Sequence, residues 1–171
     1  ATATTPARSP AEIKALLVAP KQPQRVGVVG ATGAVGKEML LVLRRRGWPL
    51  AEVRAFASER SANTSVKLED GAEYPVEVFS MERTKDLDVV FLAVSGEFAT
   101  ENARKMAAGG PLVIDNSSAL RYDADVPLVV PEVNGVSELA SPSVKLVANP
   151  NCTTAIAIMA LHPLHEHFGL R

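Results

Sequence analysis

The chain has 171 residues, 47% hydrophobic and 5% aromatic, with a net charge of −1. That is enough for one domain with a real core, or one domain and part of another. No basic run points to a nucleic-acid partner, no apolar run reaches the ~18 residues of a membrane span, and one cysteine makes no internal disulfide, which favours a reducing compartment.

Residues 1–24 are Ala- and Thr-rich and broken by Pro6, Pro10, Pro20 and Pro23. They read as an extension: a tail, a cloning scar or the remainder of an organelle transit peptide, which is likewise acid-poor and hydroxyl-rich. Residues 25–29 are a short β run. It enters Gly30-Ala31-Thr32-Gly33-Ala34-Val35-Gly36 and then a helical pattern over 37–46, with Val35, Met39, Val42 and Leu43 at helical spacing. Gly47 and Pro49 stop that helix. Strand, glycine-rich turn and helix are the context of a dinucleotide fingerprint, although the spacing is G-x-x-G-x-x-G. Glycines let the backbone approach a pyrophosphate, which sits on the helix N-terminus. The alternative is a tight turn with no ligand.

Residues 51–57 are the next strand. Where an NAD site places its ribose-binding acid, this chain has Ser58-Glu59-Arg60-Ser61. Two hydroxyls and a guanidinium suit a 2′-phosphate and favour NADP, while Glu59 is a candidate ribose acid. Residues 65–79 read as a hairpin around Glu69-Asp70-Gly71, and 88–94 as a buried parallel strand. A helix over 98–108 ends at Gly109-Gly110. The strand 112–114 delivers Asp115-Asn116-Ser117-Ser118 to its C-terminal end, followed by Arg121. Strands alternating with helices predict an α/β fold with a doubly wound, mostly parallel, Rossmann-like sheet.

The strand 145–148 precedes Ala148-Asn149-Pro150-Asn151-Cys152-Thr153-Thr154, and a helix follows over 155–168. Cys152 therefore lies at a strand-to-helix junction, where free N–H groups and the helix dipole favour an anion and hence the nucleophilic thiolate. The alternative is a buried, inert cysteine. His162, His165 and His167 lie well beyond it with no second sulfur, so no metal site is expected and they read as mostly surface.

Five segments, in order, resemble the aspartate-β-semialdehyde dehydrogenase family. They are the glycine turn 30–36, Ala57-Ser58-Glu59-Arg60-Ser61-Ala62, Asp115-Asn116-Ser117-Ser118-Ala119-Leu120-Arg121, Val130-Pro131-Glu132-Val133-Asn134 and Asn149-Pro150-Asn151-Cys152-Thr153-Thr154. The resemblance runs from residue 25 to the end. It implies NADPH-dependent reduction of aspartyl β-phosphate to aspartate β-semialdehyde, on the route to lysine, threonine and methionine. It implies that Cys152 forms a thioester, that Asn151 orients substrate, and that Arg121 binds the substrate phosphate or inorganic phosphate. It further implies that Gly30, Thr32, Gly33, Ala34, Val35 and Gly36 hold the cofactor pyrophosphate. Ser58, Arg60 and Ser61 hold the 2′-phosphate, and Asn116 and Ser117 line the nicotinamide side.

The sequence also departs from that family. Many bacterial members carry Gln at the position of Ile156 and Gly at the position of Asn63. Members are much longer, and their second domain supplies an acid–base histidine, a carboxylate-binding arginine and most of a homodimer or homotetramer interface. The resemblance therefore divides the chain into the extension 1–24, a dinucleotide-binding domain 25–150, and residues 151–171 as the first helix of a truncated α+β catalytic and dimerisation domain. The 171-residue chain alone is expected to be nearly inactive. A cytoplasmic address is the default, or a plastid if 1–24 is a processed leader. Two alternatives remain: an enzyme like N-acetyl-glutamyl-phosphate reductase, whose motif usually reads Asn-Pro-Gly-Cys-Tyr, and a non-catalytic NADP-binding module.

Overall fold

The computed structural model describes residues 22–61, 63–139 and 143–170. The expected extension lies almost wholly outside them, apart from Gln22, Pro23 and Gln24, the last of which already belongs to the first strand. In chain order the elements are β1 (Gln24–Val29), α1 (Ala34–Arg45), β2 (Leu50–Ala57), β3 (Ser65–Lys67), β4 (Glu73–Val78), β5 (Val89–Leu92), α2 (Gly96–Ala108), β6 (Leu112–Asp115), α3 (Pro131–Glu138), β7 (Leu146–Ala148) and α4 (Cys152–Phe168).

The strands form one sheet in the order β3-β4-β2-β1-β5-β6-β7, with every pairing parallel except β3 with β4. The chain moves outward from β1 through β2 to β4, then returns to β1's other side for β5. Between β1 and β5 the strand order reverses, and the carboxyl ends there leave a crevice for a ligand. The predicted hairpin is present: β3 and β4 pair Lys67 with Glu73, and Gly71 takes φ 84 in the turn.

Each sheet face packs its own core. On one side Ala99, Ala103 and Met106 of α2 meet Val90, Leu92 and Val113. On the other, Leu40 and Leu41 of α1 meet Val28, Ala55 and Val76. The inward face of α1 differs from the one its spacing predicts. Leu40, Leu41 and Leu43 are buried, whereas Val35 and Val42 are 47% and 38% exposed. A leucine-rich helix offers two overlapping apolar stripes, and contact with the sheet selects one of them. Val35, Met39 and Val42 instead flank Leu43 and Phe91 in an apolar groove. Residues 128–130 form no strand; Leu128 makes one isolated parallel bridge to Ala148 before α3 begins with Pro131 at its first turn. No helix among the described residues is long and apolar enough to cross a membrane.

Partly exposed ion pairs brace the sheet's amino-terminal edge. Asp88 accepts from the Arg25 backbone N–H at 2.7 Å and pairs with its guanidinium, and Asp86 pairs with Arg54 at 2.8 Å. Hydrogen bonds from Arg25 and Arg54 hold Asp88 and Asp86, respectively, below the usual carboxylate range. Arg44 does the same for Asp70, and Arg104 for Asp125. A carboxylate whose value falls on folding stabilises the fold above its unfolded value. That contribution disappears as pH falls through the lower folded value. Thermal melts should therefore show Tm falling below about pH 4. Asp88→Asn should flatten part of that decline, and a pH-independent Tm in this range would contradict the pairing.

Candidate functional site

At the end of β1 the Gly30 and Ala31 N–H groups both donate to the Phe56 carbonyl, at 2.9 and 3.0 Å, turning the chain sharply. Gly30 has φ 84, and a Cβ there would lie 2.1 Å from the Ala93 carbonyl oxygen. A Cβ on Gly36 would lie 2.3 Å from the Gly30 oxygen, so this glycine lets α1 sit against the turn. Gly33 differs. Its φ is −74, and a Cβ would meet only the Gly30 oxygen, at 3.4 Å. No protein atom sterically requires glycine there; the position instead leaves the backbone open to close approach. Gly33 also caps α1 without a side chain, so the first-turn N–H groups are left for an anion.

The crevice beside this turn measures about 380 Å³ and is lined by Gly30, Thr32, Gly33, Ser58, Phe79, Val94, Ser95 and Phe98, among others. Phe79 and Phe98 meet edge to face at 4.9 Å. Phe79, Val94, Ser95 and Phe98 were missed by motif reading. Their signal is positional: Val94, Ser95 and Phe98 come after β5, which borders the reversal point, and Phe79 comes directly after β4. Arg60 and Ser61 stand on a 3-10 turn, Glu59–Ser61, close after Ser58. Arg60 is exposed, with no protein partner among the described residues. Ala34 opens α1, three residues before the expected helix start, and Val35 lines the separate apolar groove and not this crevice. It follows Ala34 around the helix, and the 100° step turns its side chain away.

A second cluster lies at the carboxyl ends of β6 and β7, which pair Asp115 with Ala148. Asp115 is fully buried and accepts from the Ser117 N–H at 3.0 Å and the Ser117 hydroxyl at 2.7 Å. Ser117 therefore points inward toward Asp115 and shapes the turn. Asn116 projects beside it and accepts from Asn149 Nδ2 at 2.6 Å. Arg121 Nε donates to the Asn149 carbonyl at 2.9 Å, and Nη2 to the Asn116 carbonyl at 3.3 Å. Asn149 is the site residue that motif reading passed over; its signal is its place just after β7.

Cys152 is the first residue of α4 and is exposed. It is not buried in the core of the described residues. One expectation needs correction: the helix start does not offer all its N–H groups to the sulfur. Asn151 Oδ1 accepts from Thr153 N at 3.0 Å and Thr154 N at 3.3 Å. The helix dipole remains. Asn151 thus caps the helix through its oxygen, and its Nδ2 has no protein partner among the described residues. Helix α4 buries none of its residues, and Ile156 and Phe168 are 74% and 71% exposed. His165 and His167 are exposed, and no group of metal-binding side chains occurs among the described residues.

A doubly wound parallel sheet with an uncapped glycine turn at its reversal point defines a dinucleotide-binding domain of the Rossmann class. The crevice suits a dinucleotide: its glycines admit a pyrophosphate and its aromatic wall an apolar ring. The chain belongs to the family described as semialdehyde dehydrogenase, NAD binding domain, which matches residues 25–140. It is 42% identical over 148 residues to the aspartate-semialdehyde dehydrogenase of Aquifex aeolicus, covering 86% of this chain and 43% of that protein. It is 45% identical over 146 residues to the Streptomyces akiyoshiensis enzyme of the same name, covering 85% and 41%. Among solved structures it resembles aspartate semialdehyde dehydrogenase II of Vibrio cholerae complexed with ASA, with TM-score 0.76, 37% identity and coverage of 85% of this chain and 47% of that one. It also resembles the Candida albicans enzyme with NADP, with TM-score 0.67, 28% identity and coverage of 87% and 48%. The chain thus spans under half the length of these relatives.

Proposed function

We propose that this chain is the cofactor-binding and nucleophile-bearing part of an NADP-dependent aspartate-semialdehyde dehydrogenase. The observation that carries this reading is the carboxyl edge of one sheet. It presents a dinucleotide-shaped glycine turn, an exposed cysteine at a helix start and an arginine joined to the cysteine's loop. Gly30, Thr32, Gly33, Ala34 and Gly36 would hold the pyrophosphate. Ser58, Arg60 and Ser61 would hold the 2′-phosphate, with Arg60, which has no protein partner among the described residues, as its counter-charge. Asn116 would stand on the nicotinamide side. When bound, NADPH supplies the hydride.

The chain's own residues would supply the covalent step. Cys152 attacks the carbonyl of aspartyl β-phosphate, its sulfur forms a thioester and inorganic phosphate leaves. A thiolate suits both steps, since it is a soft nucleophile and later a good leaving group. Arg121 binds the phosphate, and Asn151 Nδ2 donates to the substrate while Asn151 Oδ1 keeps the helix start in place. We read residues 25–150 as the cofactor domain and 151–171 as the first helix of a second domain. That domain would cover the exposed Ile156, Met159, Leu164 and Phe168, and the complete enzyme would assemble as a homodimer or homotetramer.

The test is a steady-state assay of the full-length protein with aspartate semialdehyde, phosphate and NADP. Formation of NADPH that requires phosphate is expected. Oxidation that proceeds equally well without phosphate, or only with N-acetyl-glutamate semialdehyde, would overturn the assignment.

A further inference from the structure

We propose that Asn149 is a positioning residue that joins the phosphate-binding arginine to the loop bearing the nucleophile. This rests on the acyl-phosphate reading above. Asn149 uses three groups at once. Its N–H donates to the Asp115 carbonyl at 2.8 Å, its own carbonyl accepts from Arg121 Nε at 2.9 Å, and its Nδ2 donates to Asn116 Oδ1 at 2.6 Å. The Asn116 carbonyl accepts from Arg121 Nη2. One guanidinium is thus held by two backbone carbonyls, one from each loop, and the Asn149 side chain ties those loops together.

The arrangement leaves Arg121 charged and available. Its partners are neutral carbonyls, and it forms no salt bridge among the described residues. The nearby buried carboxylate, Asp115, is occupied by Ser117. The outer edge of the guanidinium, Nη1 and the second Nη2 hydrogen, therefore remains for an oxyanion, which it can bind bidentately. Buried Pro150 follows Asn149 and restricts it to extended conformations, which fixes the direction of the accepting carbonyl. Asn151 and Cys152 come directly after. Rotation of the Asn149 peptide would therefore disturb both the arginine and the approach to the thiol.

The experiment compares Asn149→Ala, Arg121→Ala and the double variant in the full-length protein. Asn149→Ala removes the Nδ2 hydrogen bond to Asn116 but keeps the backbone carbonyl that accepts from Arg121; by loosening the tie between the loops it should raise the KM for phosphate about tenfold, with little change in the KM for NADP. The double variant should bind phosphate no worse than Arg121→Ala, because the Asn149 change acts only through the placement of that guanidinium. Asn149→Asp, which can accept from a flipped Asn116 amide, should recover part of the loss and serves if the alanine variant misfolds. Additive losses, or parallel rises in both KM values with a lower Tm, would make Asn149 merely structural and overturn the proposal. A second readout needs no turnover. The rate of Cys152 alkylation by anionic iodoacetate relative to neutral iodoacetamide should fall in Asn149→Ala as it does in Arg121→Ala. If the parent lacks phosphate-dependent NADP reduction, the functional reading fails while this ratio still tests the joint. An unchanged ratio in Asn149→Ala overturns the joint itself.

Discussion

Replacing Cys152 with serine is expected to lower phosphate-dependent NADPH formation by roughly 10⁴-fold or more, the scale seen when a covalent nucleophile is removed. A serine hydroxyl is not ionised near neutral pH, and an oxygen ester gives up its acyl group less readily than a thioester. The fold should barely register the change. The side chain is exposed and the cap on α4 comes from Asn151, so stability should stay within about 0.5 kcal/mol. NADP affinity, measured by titration, should be unchanged because the glycine turn lies on other strands. Activity within about tenfold of the parent would assign the chemistry to another group.

Two glycines of the turn, Gly36 and Gly33, should separate folding from binding. Gly36→Ala places a Cβ 2.3 Å from the Gly30 oxygen and 2.7 Å from Ala31 Cα. Both neighbours are backbone and cannot swing aside. The expected loss is about 3 kcal/mol, a fall in Tm of roughly 6–12 °C for a domain of this size. Gly33→Ala faces only one oxygen at 3.4 Å with an ordinary φ, so its stability cost should be within about 1 kcal/mol. Its NADP affinity should nevertheless fall roughly tenfold or more, because the new methyl stands where the pyrophosphate approaches. Normal NADP binding by Gly33→Ala would mean that the dinucleotide does not cross this turn.

Much of the architecture was legible along the chain. The glycine turn, the hairpin at Gly71 and the helix stop at Gly47 are local backbone requirements, and local requirements leave local residue signatures. Cys152 was legible as a junction residue because β7 and α4 differ sharply in length and composition. The inward face of α1 was not legible. Val35 and Val42 fit a helical stripe as well as Leu40 and Leu43 do, and only the position of the sheet distinguishes them. The orientation of Ser117 was not legible for a related reason: nothing in Asp115-Asn116-Ser117 says which side chain turns inward until Asp115 is buried.

The sequence by itself determined where the backbone bends, which segments alternate as strands and helices, and which residue types carry charge or a thiol. These properties depend on neighbours a few positions away. Only the tertiary structure decided that Arg121 meets Asn149 and that Asn149 meets Asn116. Those partners are far apart in the chain, and they come together because β6 and β7 lie parallel with Asp115 beside Ala148. A shift of that register by one residue would reverse which side chains face the crevice, and no local pattern records it.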